Sequence, residues 1–201
     1  AAWLLSPLVA RWISLPPRED ASARLSPEEA RALRAIARRT WRFFERFAGP
    51  EFHGLPADNF QEVPRPETAR RTSPTNVGLA LLSTVAANDF GWIGTIEMVE
   101  RCERALAAIG RLERFRGHLY NWYGTDDLAP LEPRYVSTVD SGNLAAHLLT
   151  LKQACLERIA APVLTGRLLD GVADTLGLLR ESLPVLAGRG EGVVTSRQLE
   201  E

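Results

Sequence analysis

Two groups of side chains in this 201-residue chain are of types that could do chemistry together. The first lies between Gly117 and Leu144 and contains His118, Tyr120, Trp122, Tyr135, Asp140 and Asn143. Aromatic faces, amides and one acid suit a hydroxyl-rich ligand such as a sugar. The stretch is too long for a plain helix–helix connection, and segments of that length are usually functional or disordered. Its Tyr and Trp residues are ones that disordered chains lack, which argues for an ordered, functional loop. The second group is Asn59, Gln61 and Glu62, set around Phe60. Extended alternation turns Asn59 and Gln61 to the same side. A substrate-facing loop and a solvated loop clamped by Phe60 both remain open for this group.

Breaking or transferring a glycosidic bond takes two carboxylates across that bond, one of them kept protonated by its surroundings. The loop acids are Asp58, Glu62, Asp126, Asp127, Glu132 and Asp140. Asp126-Asp127 reads as a solvated turn. Asp140 precedes a predicted helix at Leu144, where it is either a ligand contact or that helix's cap. The helix dipole would keep it ionised, which suits a hydrogen-bond acceptor or nucleophile better than a general acid. No catalytic residue is assigned on these grounds. His53, His118 and His147 are too scattered for a metal site. His147 reads as a satisfied core histidine, and for His118 a ligand role and none stand side by side. There is no Gly-rich phosphate loop, CxxC, HExxH or Gly-x-Ser-x-Gly element, so neither cofactor nor metal is expected.

These loops need helices to hold them. Ser26-Pro27-Glu28-Glu29 predicts a helix start, with Ser as N-cap, Pro in the first turn and acids facing the dipole. Leu33, Ile36, Ala37, Thr40, Trp41, Phe44 and Phe47 then form a core-facing stripe that ends at Gly49-Pro50. Pro56, Pro64, Pro66 and Pro74 hold the following loop extended. A second helix begins at Thr72-Ser73-Pro74 and is apolar nearly all round, hence buried on every side. A third, capped by Thr95 and running from Ile96 to Arg114, buries Ile96, Val99, Leu106, Ile109 and Leu112 and turns its charges to water. A fourth runs from Leu144 to about Ala160 and is again largely apolar. A fifth, Leu164 to about Leu183, is amphipathic. His118–Tyr123 and Arg134–Val139 are placed to pair as a short hairpin. Buried and exposed helices alternate, with long loops before the buried ones. The fold class expected is all-α, part of an (α/α) toroid of paired helices.

Composition bounds the partners. Apolar residues make up 45% and charged residues 24%, as in a soluble globular protein. Lys and Arg number 24 against 25 acids, a formal net charge of −1, so the basic face that nucleic-acid binding requires is missing. Cys102 and Cys155 read as two buried free thiols, compatible with a reducing compartment. The opening run Ala1–Ile13 contains Pro7 and Arg11 and is shorter than the ~20 residues of a bilayer span. It reads either as the exit of a membrane helix cut off upstream or as an amphipathic segment on the domain. Leu15-Pro16-Pro17 begins a linker, and residues 187–201 read as a frayed tail.

Several consecutive motifs resemble one family. Thr40-Trp-Arg-Phe-Phe-Glu, Leu55-Pro-Ala-Asp-Asn-Phe-Gln-Glu, Arg71-Thr-Ser-Pro-Thr-Asn-Val-Gly-Leu, Arg116-Gly-His-Leu-Tyr-Asn-Trp-Tyr and Tyr135-Val-Ser-Thr-Val-Asp-Ser-Gly-Asn-Leu are similar to the cyclic β-1,2-glucan synthases, from Trp3 to about Glu157. The resemblance implies a large bacterial inner-membrane enzyme with a glucoamylase-like (α/α)6 part that cyclises linear glucan by transglycosylation. Residues 26–186 would be the first helices of that part and residues 1–25 a juxtamembrane linker on the cytoplasmic side. The two glutamates of the family's reaction sit in Ser-Glu-Ala-Arg-Leu-like and Ser-Glu-Ser-Ala-Tyr-like motifs. Neither motif occurs here, so no catalytic residue is carried over. The partners implied are a β-1,2-glucan oligosaccharide and the remaining domains of a longer synthase. The alternative is a non-catalytic module that docks on neighbouring domains, its loop residues serving only as braces.

Overall fold

The computed structural model describes residues 2–15, 25–163 and 165–187. The Pro16-Pro17 linker and the C-terminal tail, residues 188–201, lie outside the described residues. The chain divides into two compact units, residues 1–33 and 34–201. The first contains α1 (Ala2–Ile13) and the start of α2 (Pro27–Phe47). Ser26 and Glu29 cap α2 reciprocally: Ser26 Oγ accepts from the Glu29 amide at 3.2 Å, and Glu29 Oε2 accepts from the Ser26 amide at 2.8 Å. Among the described residues no helix is long and apolar enough to cross a membrane.

The second unit is helical, as expected, with α3 (Pro74–Asp89), α4 (Thr95–Arg111), α5 (Thr138–Ile159) and α6 (Arg167–Ala187). α3 lies against both α4, which follows it, and α5. The main core joins Trp41 of α2, Leu55, Val77 and Leu81 of α3, Met98, Cys102 and Ala105 of α4, Tyr123, and Leu144 and Leu151 of α5. A smaller cluster of Phe47, Phe52 and Ala57 is closed by Phe43 and Phe60, with Phe60 stacked on Phe47 at 4.8 Å. Among the described residues strands are confined to three two-residue antiparallel pairs: β1 (Phe60–Gln61) with β2 (Glu67–Thr68), β3 (Arg71–Thr72) with β6 (Tyr123–Gly124), and β4 (Arg114–Phe115) with β5 (His118–Leu119).

Several local expectations are corrected. The α2 stripe is buried only in its later turns, since Leu33 and Ile36 are exposed. On α4 the buried residues are Met98, Cys102, Ala105, Ala108 and Ile109, followed by Leu112 at its C-cap, while Ile96, Val99 and Leu106 face out. Of the expected stripe Ile109 and Leu112 are buried; the rest of the buried edge is made of smaller or less bulky residues that a reading weighted by hydrophobic bulk passes over. Gly94, not Thr95, is the α4 N-cap. The helix stops at Arg111 because Leu112 turns extended (φ −64°, ψ 133°), and Arg116 and Gly117 then take positive φ (49° and 87°) in a tight β4–β5 turn. His118 therefore pairs with Phe115, and the hairpin between 118–123 and 134–139 does not form, because Thr138 already begins α5. α5 buries one edge, Leu144 and Leu151, and leaves Leu149, Leu156 and Ile159 exposed. Both cysteines are free, but only Cys102 is buried; Cys155 is exposed.

Candidate functional site

The N-terminal turns of α3 and α5 meet, and this meeting positions the loop residues. Each helix carries its own cap: Ser73 Oγ accepts from the Asn76 amide at 3.2 Å, and Ser137 Oγ accepts from the Asp140 amide at 3.1 Å. Asp140 thus stands in the first turn of α5, three residues after the N-cap; it is not the cap itself. Asn143 Nδ2 donates to Thr75 Oγ1 at 3.1 Å, tying the two first turns together. The β3–β6 pair brings the loop before α3 alongside the loop before α5. The latter is folded on itself by Leu131 N–H to the Trp122 carbonyl and Asn121 N–H to the Tyr135 carbonyl, each 2.9 Å.

Two polar hubs result. At the first, Asp58 accepts from Arg71 Nε and Nη2 at 3.1 and 3.0 Å, from Asn76 Nδ2 at 3.1 Å and from Asn59 Nδ2 at 3.1 Å. Arg71 also lies over the Trp122 ring, 4.9 Å from its centre, so one guanidinium joins an acid to an indole face. At the second hub stands Asn121, buried between Tyr120 and Trp122. An ionised carboxylate only accepts and an indole N–H only donates, which orients the amide. Nδ2 faces Asp140 Oδ2 at 2.9 Å, and Oδ1 accepts from Trp122 Nε1 at 2.8 Å and from the Tyr135 hydroxyl at 2.7 Å. Burial pushes the Asp140 carboxyl up, but hydrogen bonds from Ser137 and Thr75 outweigh it and hold the group below its ordinary range. It is an acceptor poised among donors, with no tendency to keep a proton.

Trp122, Tyr135, Asp140 and Asn143 are thus brought together, the first three through Asn121 and the last through Thr75. Asn59 and Gln61 line an open groove of about 460 Å³ with Glu67, Ala69, Arg70, Arg71 and Leu131. Glu62 is exposed beyond that groove. His118 is exposed on β5. Tyr120 packs on the core, its ring 6.4 Å from that of Tyr123 and its amide donating to the Tyr123 hydroxyl at 2.7 Å. His147 departs from expectation: its Nδ1 is buried with no hydrogen-bond partner, and its ring lies directly against Gly78. Asp126 is exposed and paired with Arg70, which holds its carboxyl below the usual range.

Asn121, Arg71, Asn76 and Thr75 are the contributors that the sequence reading did not single out. A capping signal was there to read, because Ser137 precedes Asp140 by the three residues of a capping box. For Asn121 no local signal exists, since its partners Tyr135 and Asp140 lie well downstream and meet it only in the folded chain.

Comparison with known proteins bears out the resemblance carried by the motifs. At 47% identity over 99% of its length, the chain matches the "Cyclic beta-(1,2)-glucan synthase NdvB" of Rhizobium meliloti (strain 1021). It spans 7% of that protein's length. No family model matches the chain. Its structure is similar to that of a glucoamylase-like protein of Bacteroides fragilis NCTC 9343, with a TM-score of 0.56 and 19% identity, covering 81% of this chain and 38% of that one. At that identity the likeness speaks for the fold alone, and it agrees with the helical class read from the sequence. Over nearly its whole length, then, this chain is a relative of one short segment of the cyclic β-(1,2)-glucan synthase NdvB.

Proposed function

We propose that the chain forms one wall of the glucan-binding cleft in the glucoamylase-like part of a cyclic β-1,2-glucan synthase, the part that closes linear glucan by transglycosylation. The observation that carries this reading is the gathering of Trp122, Tyr135, Asp140 and Asn143 where α3 and α5 begin, beside the groove of Asn59 and Gln61. Rings supply faces for pyranose stacking, and the ionised Asp140 accepts hydrogen bonds from sugar hydroxyls. A general acid must hold a proton, and Asp140 is biased against one, so its role here is binding. The bond-forming groups belong to other parts of the synthase. In the same reading residues 26–186 open the glucoamylase-like part, and residues 1–25 adjoin a membrane span on the cytoplasmic face of a bacterial inner membrane. The exposed Leu5, Leu8, Val9, Trp12 and Ile13 of α1 support that position.

Calorimetric titration of the chain with linear β-1,2-glucan tests the proposal. Trp122→Ala and Asp140→Asn are each expected to weaken binding about tenfold or more, while His118→Ala leaves it unchanged. Unaltered affinity in both of the first two variants would sink it. That outcome would favour the docking-module reading, which draws on the exposed Leu149, Leu156 and Ile159 of α5.

A further inference from the structure

We infer that Asn121 is the positioning residue of this cleft: it locks Trp122 and Tyr135 to Asp140, so that indole, phenol and carboxylate are presented to the glucan as one unit. The inference rests on the cleft reading above and deepens it. Three observations support it. Asn121 is 7% exposed, so it is enclosed by the groups it holds. Its side-chain amide serves all three residues at once, at 2.9, 2.8 and 2.7 Å, while its backbone N–H holds the Tyr135 carbonyl. Those three residues come from two different places, the 121–135 loop and the first turn of α5. A side chain with one donor and one double acceptor of this length is needed; Ser is too short, and Asp lacks the donor.

The last point gives a test with a distinctive signature. In Asn121→Asp two carboxylates face each other, and both cannot be ionised at that distance. The other groups facing position 121 are neutral or remote: the Tyr135 hydroxyl and Trp122 indole on the loop, Thr75 from α3 and Ser137 on α5 around Asp140, and Arg71 over the far ring of Trp122. Nothing there compensates a second negative charge directly. The variant is therefore expected to bind glucan about tenfold or more weakly at pH 7. It should recover as pH falls toward about 5, where one shared proton restores the bridge. Exchanging the two groups, Asn121→Asp with Asp140→Asn, rebuilds the bonds around position 121 with donor and acceptor reversed. The new carboxylate accepts from indole, phenol and the new amide, so the surroundings of Trp122 are restored, while the carboxylate that accepts from sugar hydroxyls at position 140 is lost and affinity stays as low as in Asp140→Asn alone.

The same variants are read without ligand from the fluorescence of Trp122, taken as the difference from matched Trp122→Phe chains, with circular dichroism as the check on folding. Asn121→Asp should shift that emission to the red, and the exchange should reverse the shift. An exchange that leaves the Trp122 emission as red as in Asn121→Asp, or an Asn121→Asp chain equal to the parent, overturns the inference. If the parent itself binds no glucan, the cleft reading fails, and the inference then stands or falls on the emission alone.

Discussion

At Asp140 burial and hydrogen bonding pull the carboxyl in opposite directions. Its carboxyl is pushed up by burial and brought down further by Ser137 and Thr75, so its folded pKa lies below the unfolded value of about 3.9. The sign follows directly: a depressed acid contributes stability that is complete above the unfolded pKa and is lost as pH falls through the folded one. Asp140→Asn should therefore cost stability near neutral pH, and the gap between variant and parent should close as pH drops below about 4. Urea unfolding at a series of pH values from neutral to acid measures it; a gap independent of pH would show that the carboxylate's charge does not matter. The residue types of this site were legible in the sequence, since Trp122, Tyr135 and Asp140 announce themselves by chemistry. What could not be read was Asn121, whose importance is a matter of which distant groups converge on it.

At the scale of elements, helix starts were legible where local capping decides them. Ser26-Pro27 and Ser73-Pro74 each supply an N-cap and a residue pre-set for the first turn, and α2 and α3 begin there. The start of α5 was hidden because Tyr135-Val136-Ser137-Thr138-Val139 is rich in β-branched and aromatic residues, which suggest a strand. In the fold, the Ser137 cap and the contact of Asp140 with α3 override that preference. α6 shows how packing can oppose intrinsic preference within one helix. A Cβ at Gly171 would come 2.0 Å from the Gly91 carbonyl oxygen, whereas at Gly177 nothing lies within 4 Å. Gly177→Ala should raise stability by roughly 0.5–1 kcal/mol through helix propensity alone. Gly171→Ala should instead lower it by about 1–3 kcal/mol, because one backbone must back away from another. Denaturant unfolding of the two variants side by side checks the opposite signs. The close approach also aligns Asp174 to receive Arg34 at 2.7 Å and Trp92 Nε1 at 2.8 Å, so loosening it would disturb an ion pair as well.

Across the whole molecule, burial is concentrated on α3 and fades outward along α5 and α6. Leu81 is 1% exposed, while Leu149 and Ile159 are 68% and 83% exposed. Leu81→Ala should cost about 2–5 kcal/mol. Replacing Leu149, Leu156 and Ile159 together by Gln should change stability by no more than about 0.5 kcal/mol per site and reduce binding of a hydrophobic dye. Thermal unfolding and dye titration on the same samples decide this, and a large loss from the triple change would mean that the α5 stripe is already covered. Hydrophobic periodicity made the helices legible but overstated α5, because an apolar helix is recognisable locally while its neighbours are not. The β3–β6 pair has one more consequence, which concerns time. It joins residues that flank the whole of α3 and α4, so the two loops cannot come together until both helices have turned the chain back on itself. On a ribosome that closure waits further, until Tyr135 and the first turn of α5 have emerged to meet Asn121.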